Sequence, residues 1–228
     1  MVRSKEGFPE ELEQQVDEMG DAHASGNTNT PLRPGAFELN DEEKMAVIEA
    51  HFAEIMHTLG LDLKDDSLKG TPRRVAKMFV QEIFGGLDPK RKPRISTFDN
   101  KYQYRRMLVE KNIDVTSTCE HHFLPIFGKA HVAYISNGTV IGLSKINRIV
   151  DYYARRPQVQ ERMTRQILEA LKEALDTEDV IVMVDAKHMC VHARGIQDTE
   201  STTVTVEYSG AFEDAETRRE FLDYVQAR

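Results

Sequence analysis

The sequence predicts an α+β fold, with an antiparallel sheet covered on one face by helices and a helical extension in front of it. Three observations carry this. Extended patterns fill two blocks, 107–135 and 180–208, and a pair of helical stretches lies between them. Two more helical patterns precede the first block, so helices and strands are segregated instead of alternating. The chain has 228 residues, 40% hydrophobic and 30% charged, enough to bury a substantial core without disulfides.

Taken in order, residues 1–40 read as an arm. A short acidic helix is expected from Pro9 to Met19, followed by the polar run GDAHASGNTNT and the prolines of PLRPG. The arm holds three basic residues against eight acidic ones, so much of the chain's acidity lies outside its body. A helical region, 41–106, follows. Asn40 can cap its first helix, Glu43 closes a capping box, and Ile48, Phe52, Ile55, Met56 and Leu59 share one face before Gly60. The second helix opens at TPRRVAKMFVQEIF with Pro72 in its first turn and stops at Gly85-Gly86. A basic, irregular connection fills 88–106.

The third region, 107–228, carries the sheet. MLVEK, IDVTSTC, FLPIFG and KAHVAYI read as extended, with Gly128 breaking the last two as a hairpin would. Helices are expected over 144–155 and 157–175, the second amphipathic through Val159, Met163, Ile167, Leu168 and Leu171. VIVMVDA and TTVTVEY then read as strands, and a short helix near Arg218–Val225 closes the chain.

Composition excludes several function classes. The formal charge of −8 argues against a generic nucleic-acid binder, whose footprint is basic. No segment approaches the roughly 20 apolar residues that span a bilayer, and the first residues lack the apolar stretch of a secretory signal, so a cytoplasmic protein with no membrane partner is expected. Two cysteines are too few for a disulfide scaffold and point to metal or redox chemistry.

Those cysteines sit in the segments richest in chemistry. Cys119-Glu120-His121-His122 sets a thiol and an imidazole three residues apart, a workable half of a metal site if the chain turns there. His188-Met189-Cys190-Val191-His192 adjoins a strand, and an extended backbone would put His188, Cys190 and His192 on one face. Two sulfurs with imidazoles nearby favour zinc over magnesium or calcium. Four protein ligands would make a structural site, and three plus water a catalytic one. Buried core cysteines, or a transient disulfide between the two, are the competing readings.

Two helix starts carry further candidates. Ser144 can cap the helix after Gly142, and Lys145 and Arg148 would reinforce an anion site at its free N–H groups; a solvated helix start is the plainer reading. Arg73, Arg74, Lys77 and Arg194 are ambiguous in the same way. Glu161, in RPQVQER, suits a helix N-terminus through the macrodipole. Its carboxylate could equally accept two parallel hydrogen bonds from the N1–H and exocyclic amine of guanine, a match that adenine does not offer.

Together DDSLKGTPRRVAKM, TSTCEHHF, GLSKINRIV, RPQVQER and HMCVHARG, in this order, resemble the GTP cyclohydrolase I family from Thr30 to the C-terminal helix. The resemblance implies the tunnelling fold for 107–228 as catalytic domain, and a homodecamer with active sites between subunits. It implies a Zn2+ cofactor held by Cys119, His122 and Cys190 with one position left for water, and His121 and His188 as acid/base groups. Gln160 and Glu161 match the guanine-binding pair. Ser144, Lys145, Arg148, Arg194, Arg74 and Lys77 match positions around triphosphate and ribose, with Ser144 near the second acid/base step. His192 falls outside the implied ligand set. The implied reaction turns GTP into 7,8-dihydroneopterin triphosphate and formate, without a redox cofactor. Two other readings stay open: a tunnelling-fold enzyme that reduces a nitrile with NADPH and a nucleophilic cysteine, and a purine-nucleotide sensor with structural zinc.

Overall fold

The structure is a computed structural model and describes residues 28–227. The helix expected at Pro9–Met19 lies outside them. Helix α1 (Asp41–Thr58) begins on the expected capping box: Asn40 Oδ1 accepts from the Glu43 N–H, and Glu43 Oε2 accepts from the Asn40 N–H. Helix α2 (Thr71–Lys77) starts with Pro72 in its first turn and packs on α1. Its continuation departs from the even helix that the pattern suggested, because Met78–Ile83 widens into a π-helical turn. That turn carries Phe79, whose ring packs with Phe84 and, across the chain, with Phe123.

The main sheet has five strands in the order β5-β2-β3-β6-β7. Strand β1 (Thr97–Asp99) lies in the basic connection and pairs outside this sheet with β4 (Thr139–Ile141). Strands β2 (Met107–Cys119), β3 (Pro125–Ile135), β6 (Val180–His188) and β7 (Thr203–Tyr208) each run antiparallel to the next in the sheet. Strand β5 (Pro157–Gln158) is the exception. It adds two residues parallel to the end of β2, at Thr118 and Cys119, where a helix start was expected.

The segments MLVEK and IDVTSTC form one strand interrupted by a bulge. Lys111 and Asn112 together face His131, and Asn112 adopts a left-handed φ of 63°. The extra residue inverts the alternation of side chains. Before it Met107 packs on one face of the sheet; after it Ile113, Val115 and Cys119 pack on the other. The bulge therefore turns Cys119 towards the helices.

Gly128 is no hairpin break. It lies inside β3 opposite Ala186, where a Cβ would stand 2.2 Å from the Asp185 carbonyl oxygen. The glycine marks a close strand approach. The actual connection between β2 and β3 is the segment 120–124.

Helices α3 (Leu143–Ala154) and α4 (Gln160–Leu175) cover one face of the sheet. Met163, Ile167, Leu168, Leu171 and Leu175 of α4 are all at most 3% exposed, each burial worth about 1.5–3 kcal/mol. The opposite face is covered at one end by helix α6 (Ala215–Gln226), whose Phe221 packs with Phe212, Met107, Ala133 and Ile181. Helices thus lie on both faces, two against one. Between β6 and β7, residues Met189–His192 form the single helical turn α5. Among the described residues no helix is long and apolar enough to cross a membrane.

Candidate metal and nucleotide site

Three elements meet at one end of the sheet: the loop after β2, the start of α4, and the turn α5 after β6. The ligand atoms of Cys119, His122 and Cys190 lie within 4.8 Å of one another, the one such group among the described residues. Cys119 is buried, Cys190 partly buried and His122 exposed, so the group opens to solvent on the histidine side. Both cysteines are free. Burial, and then the neighbouring Cys119 sulfur, push the Cys190 thiol up from its ordinary value. A divalent ion that accepts soft donors would offset this by binding the Cys190 thiolate. The donor set therefore fits zinc.

The trio does not arise as strand alternation suggested. Strand β6 ends at His188, and the following helical turn breaks the two-residue parity. Cys190 reaches the metal group from that turn, while His192 donates from Nε2 to the Ser201 carbonyl at 3.2 Å and stays outside it.

A cavity of about 300 Å³ adjoins the group, with Cys119, His121, Gln160, Glu161, His188 and Cys190 in its wall. His121 Nδ1 is 3.8 Å from Cys119 Sγ, and its Nε2 is 4.0 Å from a Glu120 carboxylate oxygen. His188 is held low in basicity by burial, partly opposed by the Glu161 carboxylate. Arg194 donates to His122 Nε2 at 2.6 Å. The cation expected at the triphosphate thus stands beside the metal group.

Two residues that the sequence does not single out hold the loop after β2 in place. Arg162, its side chain 6% exposed, donates through both terminal nitrogens to Glu120 at 2.6 and 3.1 Å. This two-pronged pair ties the loop between Cys119 and His121 to the first turn of α4. On the other side Phe123, at a left-handed φ of 53°, docks its ring 5.2 Å from Phe84 and 6.4 Å from Phe79. A bulky residue in that region is strained, so its packing must hold it there. Replacing Arg162 with Met strands the Glu120 carboxylate in a largely buried position. The expected loss is about 3–5 kcal/mol, measurable as a shift in denaturant midpoint of the metal-loaded protein.

The remaining candidates lie elsewhere in the chain. Helix α3 begins at Leu143 with Gly142 as its cap residue, so Ser144 does not cap it as expected. Ser144 and Lys145 stand at the end of α3 remote from β5, about 15 Å away by the rise of the helix. Arg148 lines a separate groove of about 600 Å³ with Arg91 and Arg155. Arg74 donates to the Ser67 carbonyl and Thr71 hydroxyl, and Arg73 pairs with Glu42 and Glu49; Lys77 is exposed.

The GTP cyclohydrolase I family model matches residues 48–226. The chain belongs to the GTP cyclohydrolase I family. It is 64% identical to GTP cyclohydrolase 1 of Flavobacterium johnsoniae over 92% of this chain and 95% of that one. Against GTP cyclohydrolase 1 of Salmonella arizonae and of Salmonella enteritidis it is 52% identical, over 90% of this chain and 93% of theirs. The family match contains every element that builds the metal group, including the β2 bulge and the turn α5.

Proposed function

We propose that the protein converts GTP to 7,8-dihydroneopterin triphosphate and formate, the opening step of pterin and folate biosynthesis. The observation that carries this is the three-ligand group of Cys119, His122 and Cys190 beside a cavity walled by His121, His188 and Glu161. Three protein ligands leave the open position of a catalytic site. Bound there, zinc would supply the Lewis acidity that activates water at the purine C8.

The chain's own residues do the rest. Glu161 accepts the guanine N1–H and exocyclic amine as a parallel pair, which selects guanine over adenine. His121 delivers a proton to N7, making C8 electrophilic; hydrolysis then opens the imidazole ring and a second hydrolytic step releases C8 as formate. His188 moves protons while the ribose opens and rearranges, after which reclosure through former sugar carbons gives the pterin. Arg194 sits where an incoming anion would meet positive charge, so a chain of net charge −8 can still take a polyanion.

Within one chain Ser144 and Lys145 lie at the end of α3 remote from β5, and Arg148 lines a separate groove. We read them as the contribution of a second copy to triphosphate and ribose, with Arg74 and Lys77, in a homodecamer of the tunnelling fold. Strand β7 supports this reading: it is a sheet edge with Val204, Val206 and Tyr208 exposed, an open surface that a neighbouring sheet can pair. Residues 107–228 would be the catalytic domain, 41–106 its helical region and 1–40 an arm. Free thiols as ligands suit the reducing cytoplasm.

Glu161→Gln tests the nucleotide assignment. The variant is expected to keep its zinc and lose about 1.5–3 kcal/mol of GTP binding, the worth of a hydrogen bond to a charged group. Unchanged affinity and unchanged preference over ATP in competition binding would return Glu161 to compensating the helix dipole.

A further inference from the structure

Gln160 is implied by resemblance to touch guanine, yet the residue is 2% exposed and its side chain hydrogen-bonds inside the protein. Its amide nitrogen lies 3.0 Å from the Val184 carbonyl, 2.8 Å from the Thr203 carbonyl and 3.2 Å from the Thr205 hydroxyl. Turning the amide over would set its oxygen against two backbone carbonyl oxygens, so the orientation is fixed. Thr164 donates its hydroxyl to the Gln160 backbone carbonyl at 2.8 Å, leaving the Thr205 hydroxyl to donate to Thr164 at 2.6 Å. Every proton in the network then has one direction. Gln160 Oε1 can only accept, and its partner is His188 Nε2 at 2.8 Å.

We infer that Gln160 is a positioning residue that locks His188 in the Nε2–H tautomer and leaves Nδ1 as its working nitrogen. The ring orientation follows from the same bond, because both ends of it are buried or half-buried. An amide oxygen facing Nε2 can only accept, so the bond fixes which ring nitrogen carries the hydrogen and leaves Nδ1 free to face another group. A carboxylate in its place would favour the doubly protonated ring. This inference deepens the proposed function and rests on it only for the meaning of the working nitrogen; the tautomer itself is a property of the protein.

Solid-state NMR of the zinc-loaded protein labelled with ¹⁵N-histidine tests it, with the His188 signals identified by their loss in His188→Gln. Neutral His188 is expected to show a protonated Nε2 and a pyridine-like Nδ1; a protonated Nδ1 would overturn the inference whether or not the protein turns over GTP. Gln160→Met keeps the side-chain length and removes the acceptor. It is expected to mix the two tautomers and lower kcat about 10–100-fold, the usual cost of losing a partner that orients a histidine, with KM for GTP and zinc content nearly unchanged. A raised KM with kcat intact would make Gln160 a guanine ligand instead, and zinc loss in step with kcat would make it merely structural. If Gln160→Met does not fold, the wild-type tautomer decides alone.

Discussion

Cys190→Ser is expected to leave a folded protein that retains no zinc through gel filtration and gives no measurable GTP turnover. The hydroxyl is a hard donor that stays protonated at neutral pH, whereas the thiol it replaces becomes the soft anion zinc prefers. Cys190 also reaches the metal group from a four-residue helical turn rather than from the sheet, so no neighbouring side chain on a strand can take over its position. The core should be indifferent to the change, because Cys190 only packs against its edge. Metal analysis and circular dichroism of the same sample check both halves. A variant with stoichiometric zinc and full turnover would remove Cys190 from the ligand set.

His121→Ala separates the metal from the proton. His121 lies outside the three-ligand group but 3.8 Å from one of its sulfurs, and its ring is anchored through the loop that Arg162 and Glu120 hold. The variant should therefore bind zinc normally and lose about 10²–10⁴-fold in formate release, the range for a positioned general acid. Formate release at the wild-type rate would show that N7 takes its proton from water or another group. A simultaneous loss of zinc would show that His121 supports the loop after β2 instead.

Much of this architecture is legible in the sequence where local rules act alone. Asn40 and Glu43 announce a helix start that depends only on their own backbone, and the apolar stripe of α4 needs no partner to be recognised. Legibility fails where distant chain segments impose the geometry. Gly128 looks like a turn, but its role is to let β3 approach the backbone of β6 at Asp185. Strands β1, β4 and β5 have two or three residues each, too few for alternation to register.

The site divides in the same way. Cys119 and His122 are readable as half a metal site from their spacing, but the parity argument that grouped His188, Cys190 and His192 fails because the strand ends at His188 and a helical turn carries the other two. Resemblance to the family names the trio Cys119, His122 and Cys190, and the fold brings these three side chains together. The supporting roles are hidden for a different reason: Glu120 and Arg162 look like ordinary surface polar groups, and Gln160 like a ligand to guanine, until tertiary packing pairs them. Their partners lie 24 to 45 residues away, beyond any local pattern.

The most direct test of the central claim is to incubate the protein with GTP and follow formate together with a pterin, detected by fluorescence after oxidation. Parallel samples are stripped of metal and reconstituted with zinc. Formate and pterin should appear together, vanish on stripping and return with zinc. Stoichiometric zinc with neither product would contradict the account.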